Sequence, residues 1–254
     1  MIIPLSDENP TLRFPLMTVL ILVALGVVWV KFQGAGLDPH ALAASVCNWG
    51  LVPGEITHRA RIGTAVPLGG GMACIVDNDP NNIYTIVTHM FLHGGWSHIL
   101  GNALFLWIFG NNVEDSMGRI RFLFFYLLCG LAGAGLQILM NPASPVPMVG
   151  ASGAISGVLG AYLMLYPRVL VRVLVFVFVI SVPAYLVLLL WIGTQVVSAL
   201  PQLSPVRPEV SSGVAVFAHI GGFAAGFLLI RVFRNRELVS ERSVERHRLH
   251  PGHP

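Results

Sequence analysis

Charge is what this sequence has least of. Asp, Glu, Lys and Arg make up 11% of its 254 residues, where a soluble domain carries about 25%. Hydrophobic residues make up 55%, the mean hydropathy is +0.74, and the apolar residues come in long runs. That balance excludes a soluble enzyme on a single anchor and predicts an all-α polytopic membrane protein. The net charge of +3 is mostly a property of the tail. There Arg231, Arg234, Arg236, Arg242, Arg246 and Arg248 are interleaved with Glu237, Glu241 and Glu245. Glutamates at that density break up a basic patch, so the tail reads as a stop after the last span, and no nucleic-acid partner is expected. No cleavable signal peptide is expected either. Asp7, Glu8, Pro10 and Arg13 precede the first apolar run, which is itself too long for a signal-peptide core.

Cysteine is scarce as well. Cys129 lies in an apolar run and reads as packing, while Cys47 and Cys74 share one long loop. A loop outside the cytoplasm permits a disulfide, and the alternative is two unpaired small residues.

Six apolar segments can be read, at about 14–30, 96–111, 122–140, 152–166, 169–197 and 214–230. A span needs about 20 residues, so the second and fourth are short, as suits helices buried among others. Arg13, Arg119, Arg121, Arg168, Arg172 and the tail fall on one side of such a bundle, against Arg59, Arg61 and Arg207 on the other. The bias places both termini in the cytoplasm. The domain plan is then a cytoplasmic segment 1–13, a six-helix domain 14–234 and a basic cytoplasmic tail 235–254. Within the domain, an external loop over 33–82 is too long for a connector. It carries turn signals at Gly69-Gly70-Gly71 and at 77–80, and reads as a partly ordered cap.

Spans two, four and six run in the same direction, and each begins with polar residues. Ser152 opens the fourth within Gly150-Ala151-Ser152-Gly153, and His219 lies five residues into the sixth. An ionisable group in a membrane helix is costly, which makes His219 a functional-site residue by default. Glycine stripes on both helices, Gly153, Gly157 and Gly160 on one and Gly222 and Gly226 beside His219 on the other, predict close packing that brings Ser152 and His219 together. A serine needs an adjacent base to become a nucleophile. No carboxylate lies in the hydrophobic parts of these two spans, so the arrangement expected is a Ser-His dyad. Acyl transfer also needs donors for the developing oxyanion. His98 and Asn102, at i and i+4 on the second span, are candidates, together with the N–H groups that open the fourth span.

A metal centre is the competing reading of the histidines. His89, His93 and His98 form H-x3-H-x4-H, but Gly94 and Gly95 interrupt the helix between the last two. No metal and no cofactor is expected.

Four stretches carry a resemblance. They are Met90-Phe-Leu-His-Gly-Gly-Trp-Ser-His98-Ile-Leu-Gly-Asn102, Gly110-Asn-Asn-Val-Glu114-Asp, Gly150-Ala-Ser152-Gly153 and Ala218-His219-Ile-Gly-Gly222. Over about 84–231 the chain resembles the rhomboid family of intramembrane serine proteases, bacterial branch, and the six-helix layout matches that family's basic fold. The resemblance implies Ser152 as nucleophile and His219 as general base. It implies an oxyanion hole from His98, Asn102 and the Ser152 N–H, a water-filled site opening outward, and a mobile fifth helix and fifth loop that admit substrate sideways. It implies single-span membrane proteins as substrates, cut in or near the outer part of their span, with the lipid bilayer as the working medium and no cofactor.

Two departures stand out. Many relatives carry Trp-Arg shortly before Phe-Leu-His, and that arginine can pair with the glutamate matching Glu114. Here Tyr84 and Thr85 stand there, so Glu114 is expected to pair with Arg119 or Arg121 instead. Some relatives stack a tyrosine, one turn after the serine, on the histidine, and here that position is Ser156. Two other classes compete with a protease: an inactive relative that binds membrane clients, and a transporter or channel. The intact Ser152, His219, His98 and Asn102 argue against the first. The inner halves of spans four and six, which lack polar residues, argue against the second. A multi-pass protein of the bacterial inner membrane is the location expected.

Overall fold

The computed structural model describes residues 2–77, 79–203 and 215–249. Arg207, Asn78, the expected start of the last span at 214 and the last five tail residues lie outside them. In chain order come β1 (Ile2–Asp7), α1 (Leu16–Lys31), α2 (Pro39–Trp49), α3 (Pro53–Ile56), β2 (Ala65–Gly69), β3 (Met72–Ile75), α4 (Thr85–Thr88) and α5 (Trp96–Phe105). A π-helical turn, Leu106–Gly110, carries α5 without a break into α6 (Asn111–Met117). Then follow α7 (Arg119–Met140), α8 (Ser152–Leu165), β4 (Leu170–Val175), β5 (Phe178–Pro183), α9 (Ala184–Ala199), α10 (Val216–Phe233) and α11 (Arg236–Leu249). Among the described residues three helices are long and apolar enough to cross a membrane, Arg119–Met140, Ala184–Gln202 and Val216–Phe233, while α1 and α8 are apolar but shorter.

The fold is mostly helical, but all-α is corrected by two sheets. β1, β4 and β5 form one in that order, and β2 and β3 form the other. The stretch read as the first half of a fifth span from 169 is a β-hairpin, and α9 starts only at Ala184, after Pro183. Val171, Val173, Val175, Val177 and Val179 recur at every second position, which is the period of a strand. β-branched side chains fit a pleated surface better than a helix. Val171 and Val173 point into the core, Arg172 between them points out, and the hairpin tip is bare, with Phe176 84% exposed. The N-terminal segment is not a loose leader either. It adds a third strand, Ile2 opposite Val175 and Asp7 opposite Val171.

The core fills the space between the long helices with Phe109, Phe122, Phe125, Tyr126, Leu159 and Tyr162, all fully buried. α8 and α10 form the closest pair. A Cβ on Gly222 would overlap the Gly153 carbonyl oxygen, a Cβ on Gly226 would overlap that of Gly157, and a Cβ on Gly160 would overlap that of Phe223. Only hydrogen in place of a side chain lets the two backbones touch.

A polar knot closes the end of the bundle opposite Ser152. Glu114 does not pair with Arg119 or Arg121. Its carboxylate accepts from the Met17 and Thr18 N–H groups (3.0 and 2.8 Å) and from the Thr18 hydroxyl (2.8 Å). It thus caps the first turn of α1, which lacks a capping side chain of its own. Arg242, read as one of several tail charges, is 1% exposed. Its guanidinium donates to the Pro10 carbonyl, to the Asn112 carbonyl and side-chain oxygen, and to the Tyr166 hydroxyl, and lies 3.6 Å from Asp115. Asp115 also binds Arg13, which reaches on to Glu241 of α11. The tail helix is therefore clasped to the bundle rather than trailing from it.

At the Ser152 end lies a folded cap built from residues 33–82. Its β2–β3 turn uses Gly69, Gly70 and Gly71, all at positive φ, which glycine adopts without steric cost. A disulfide joins Cys47 of α2 to Cys74 of β3. Leu51 exchanges backbone hydrogen bonds with Met148 (2.9 and 2.7 Å), tying the cap to the approach to Ser152.

Candidate active site

Three helix starts meet here, those of α5, α8 and α10. The chain enters α8 through Gly150, whose φ of 129° favours glycine and whose N–H donates to the His89 carbonyl (2.8 Å). A Cβ on Gly150 would lie 2.6 Å from His98 Nε2, so the same glycine makes room for the His98 ring. Ser152, the first residue of α8, lies one turn below. His219 lies one turn into α10, whose close contact with α8 rests on the paired glycines. Gln137 of α7 steadies that start by accepting from the Ala218 N–H (3.3 Å). The result is a 2.8 Å hydrogen bond between Ser152 Oγ and His219 Nε2.

His98 and Asn102 face the same space from α5. The Gly94 N–H donates to His98 Nδ1 (3.3 Å), which leaves the ring proton on Nε2, the nitrogen nearest Gly150. The Asn102 side chain is buried, and its Nδ2 has no hydrogen-bond partner. A buried amide left without a partner is costly, and this one lines the cavity that holds Ser152 and His219. That cavity has a volume of about 350 Å³. Among the described residues its lining contains His89, Ser97, His98, Asn102, Ser152, Gln195 and His219 beside apolar side chains, and no aspartate or glutamate.

His89 and His93 support the site from outside the long helices. His89 Nδ1 is 2.9 Å from the Thr85 carbonyl, so that nitrogen donates. Gln33 of the first loop brackets the His93 backbone, accepting from its N–H (2.9 Å) and donating to its carbonyl (2.8 Å). The hydrogen bonds that His93 makes are thus those of its main chain. Both ring nitrogens of His93 are buried without partners, edge-on to His98 at 5.1 Å between ring centroids. Burial pushes the His89 imidazole down to about 4, and burial with the neighbouring His98 pushes His93 down to about 3. Both are therefore neutral near pH 7. Among the described residues, no group of three or more His, Cys, Asp or Glu is placed to hold a metal ion.

Sequence reasoning missed two residues that touch His219. Gln195 Oε1 is 2.8 Å from His219 Nδ1, and the Trp191 ring packs on the imidazole at 5.8 Å between centroids. Both come from α9, four residues apart and so on one face. Gln195 was visible as an amide in an apolar helix, which is a marker of function. Ser156, which stands where some relatives carry a tyrosine, bonds back to the Ser152 carbonyl instead.

The profile of the Rhomboid domain matches residues 80–236, which contain every residue of this constellation. The chain is 32% identical over 160 residues to RHOMBOID-like protein 1 of Arabidopsis thaliana, covering 60% of this chain and 35% of that one. It is 32% identical over 156 residues to RHOMBOID-like protein 6, mitochondrial, of the same plant, covering 59% and 43%. It is 42% identical over 80 residues to Rhomboid protease GluP of Bacillus subtilis (strain 168), covering 32% and 15%. The matched stretches span less than half the length of each of these relatives.

Proposed function

Because the chain belongs to the Rhomboid family, which includes intramembrane proteases, we propose that it is an intramembrane serine endopeptidase acting through a Ser152–His219 dyad. The observation that carries this reading is the 2.8 Å Oγ–Nε2 hydrogen bond inside a partly polar cavity. Ser152 Oγ attacks the scissile carbonyl carbon while His219 Nε2 takes the hydroxyl proton. Charge moves onto the carbonyl oxygen, and His98 Nε2–H, Asn102 Nδ2–H and the Ser152 N–H are the donors for it. The spare Asn102 donor supports that role. Collapse of the tetrahedral intermediate breaks the C–N bond, and His219 gives its proton to the leaving amine. Water, deprotonated in turn by His219, hydrolyses the acyl-enzyme and frees Ser152.

The six apolar helices α1, α5–α6, α7, α8, α9 and α10 are the spans in this reading, with both termini cytoplasmic by the charge bias. The site then lies in the outer leaflet, because α5, α8 and α10 all start there. Substrates are single-span membrane proteins, opened locally from helix to extended chain before the cut. A bacterial inner membrane suits the chain.

The test is labelling with a fluorophosphonate serine probe in liposomes, read beside cleavage of a single-span substrate. Wild type should label and cleave. Ser152→Ala and His219→Ala should do neither while eluting as folded protein. A folded wild type that binds single-span peptides but neither labels nor cleaves them makes the chain a client-binding relative instead.

A further inference from the structure

His219 has two ring nitrogens, and both are engaged. Nε2 faces Ser152 Oγ and Nδ1 faces Gln195 Oε1, each at 2.8 Å. A dyad has no carboxylate as third group to hold its histidine, and among the described residues none lines this cavity. An unheld imidazole can rotate, and it can carry its proton on Nε2, where it is no base towards serine.

The amide's orientation follows from its neighbours. The Thr194 hydroxyl donates to the Trp191 carbonyl (2.6 Å), which uses its only proton. Towards Gln195 it is therefore an acceptor, and Gln195 Nε2 lies 3.4 Å from it. That leaves Gln195 Oε1 turned to His219 as an acceptor. His219 must then carry its proton on Nδ1 and present a lone pair on Nε2 to the serine. One direction of donation runs from Ser152 through His219, Gln195 and Thr194 to the Trp191 carbonyl. Trp191 closes the sequence by packing on the same imidazole.

We propose that Gln195 is the positioning residue for the base: its amide oxygen fixes His219 in the Nδ1–H form and aims Nε2 at Ser152. The proposal rests on reading Ser152 and His219 as the dyad. A neutral amide suits the place, since a carboxylate would carry a desolvation cost among apolar side chains. The holder also sits on a different helix from the group it holds. A hydrogen bond of 2.8 Å is lost within about 1 Å of separation, so the base is aligned only while α9 lies against α10. Displacing α9 disarms the dyad without touching Ser152.

The experiment compares wild type, Gln195→Leu and Gln195→Glu in liposomes with a single-span substrate, measuring kcat and KM separately and fluorophosphonate labelling alongside. Leucine keeps the bulk and loses the acceptor; glutamate keeps the acceptor. The expected result for Gln195→Leu is kcat down about 10–100-fold, no more than the lower end of the roughly 10²–10⁴ that a positioned base contributes, with KM unchanged. Gln195→Glu should recover most of that loss. Packing alone predicts the reverse order, with leucine tolerated and a buried charge harmful. Leucine equal to or better than glutamate overturns the proposal and leaves the protease reading standing. A wild type that neither labels nor cleaves removes the protease reading and this proposal with it. Should Gln195→Leu fail to elute as folded protein, Thr194→Val decides. It leaves Gln195 in place but frees its amide to turn, so kcat should fall with KM held, and an unchanged kcat overturns the proposal.

Discussion

Asp7 and Tyr162 stand 155 residues apart in the chain and are hydrogen-bonded in the fold, the tyrosine hydroxyl donating to Asp7 Oδ2. Asn112 Nδ2 donates to the same oxygen (2.6 Å). One carboxylate thus joins the first strand to two helices of the bundle.

That carboxylate makes stability depend on pH. Burial raises the Asp7 carboxyl from 3.8 to about 6, although the Tyr162 hydrogen bond and the Arg242 charge both pull it down. The folded chain therefore holds this proton more tightly than the unfolded chain does. The stability it contributes is whole below about pH 4 and is lost as the pH rises through about 6. Asp7→Asn imitates the protonated group at every pH. The difference in thermal midpoint between variant and wild type in detergent should shift in the variant's favour from about pH 4 to about pH 7. A constant difference would show that Asp7 titrates alike in both states.

In the proposed mechanism, Asn102→Ala removes one oxyanion donor and leaves Ser152 and His219 in place. Cleavage should fall about 10²–10³-fold, mostly in kcat, while the fluorophosphonate probe still reacts. A rise in KM alone would make Asn102 a substrate-binding residue instead.

Glu114→Ala strips three hydrogen bonds from the start of α1. Leaving buried donors without partners costs about 1–3 kcal/mol, readable as a lower denaturation midpoint. Arg119→Ala and Arg121→Ala should change little. If either arginine variant matched Glu114→Ala, the ion pair expected from the sequence would be the true anchor.

The disulfide is testable without activity. Unfolded but unreduced protein should bind one equivalent of a thiol reagent, at Cys129, and three after reduction. Cys47→Ser should cost about 2–4 kcal/mol for a loop of this length. Three equivalents before reduction would mean that Cys47 and Cys74 do not pair.

What was legible in the chain was whatever depends on spacing along one helix. The glycine stripes foretell the α8–α10 contact, and Ser152, His98, Asn102 and His219 each stand near the start of a helix in the sequence pattern. What was hidden needs two distant segments at once. Glu114 is one carboxylate beside two arginines in the sequence, and only the fold brings it to the bare N–H groups of Met17 and Thr18. Arg242 looks like its neighbours until Pro10, Asn112 and Tyr166 close around it. The β4–β5 hairpin was a misreading of another kind. Its apolar run satisfied a helix by length, and the two-residue period of its valines was the signal that hydropathy alone passed over. Gln195 sits between, visible as a polar residue in an apolar helix but with no spacing that names His219 as its partner.

The pairing of β1 with β4 bears on how the molecule is made. β1 leaves the ribosome long before its partner strand, which ends at Val175. At about 5–20 residues per second, β1 waits many seconds with its edge uncovered, while four apolar helices are synthesised ahead of its mate. Arg242, which fastens the Pro10 carbonyl just beyond that strand, arrives later still. β1 is thus fastened only by segments made long after it, and a polypeptide cut short before α11 would lack the guanidinium that holds the Pro10 carbonyl.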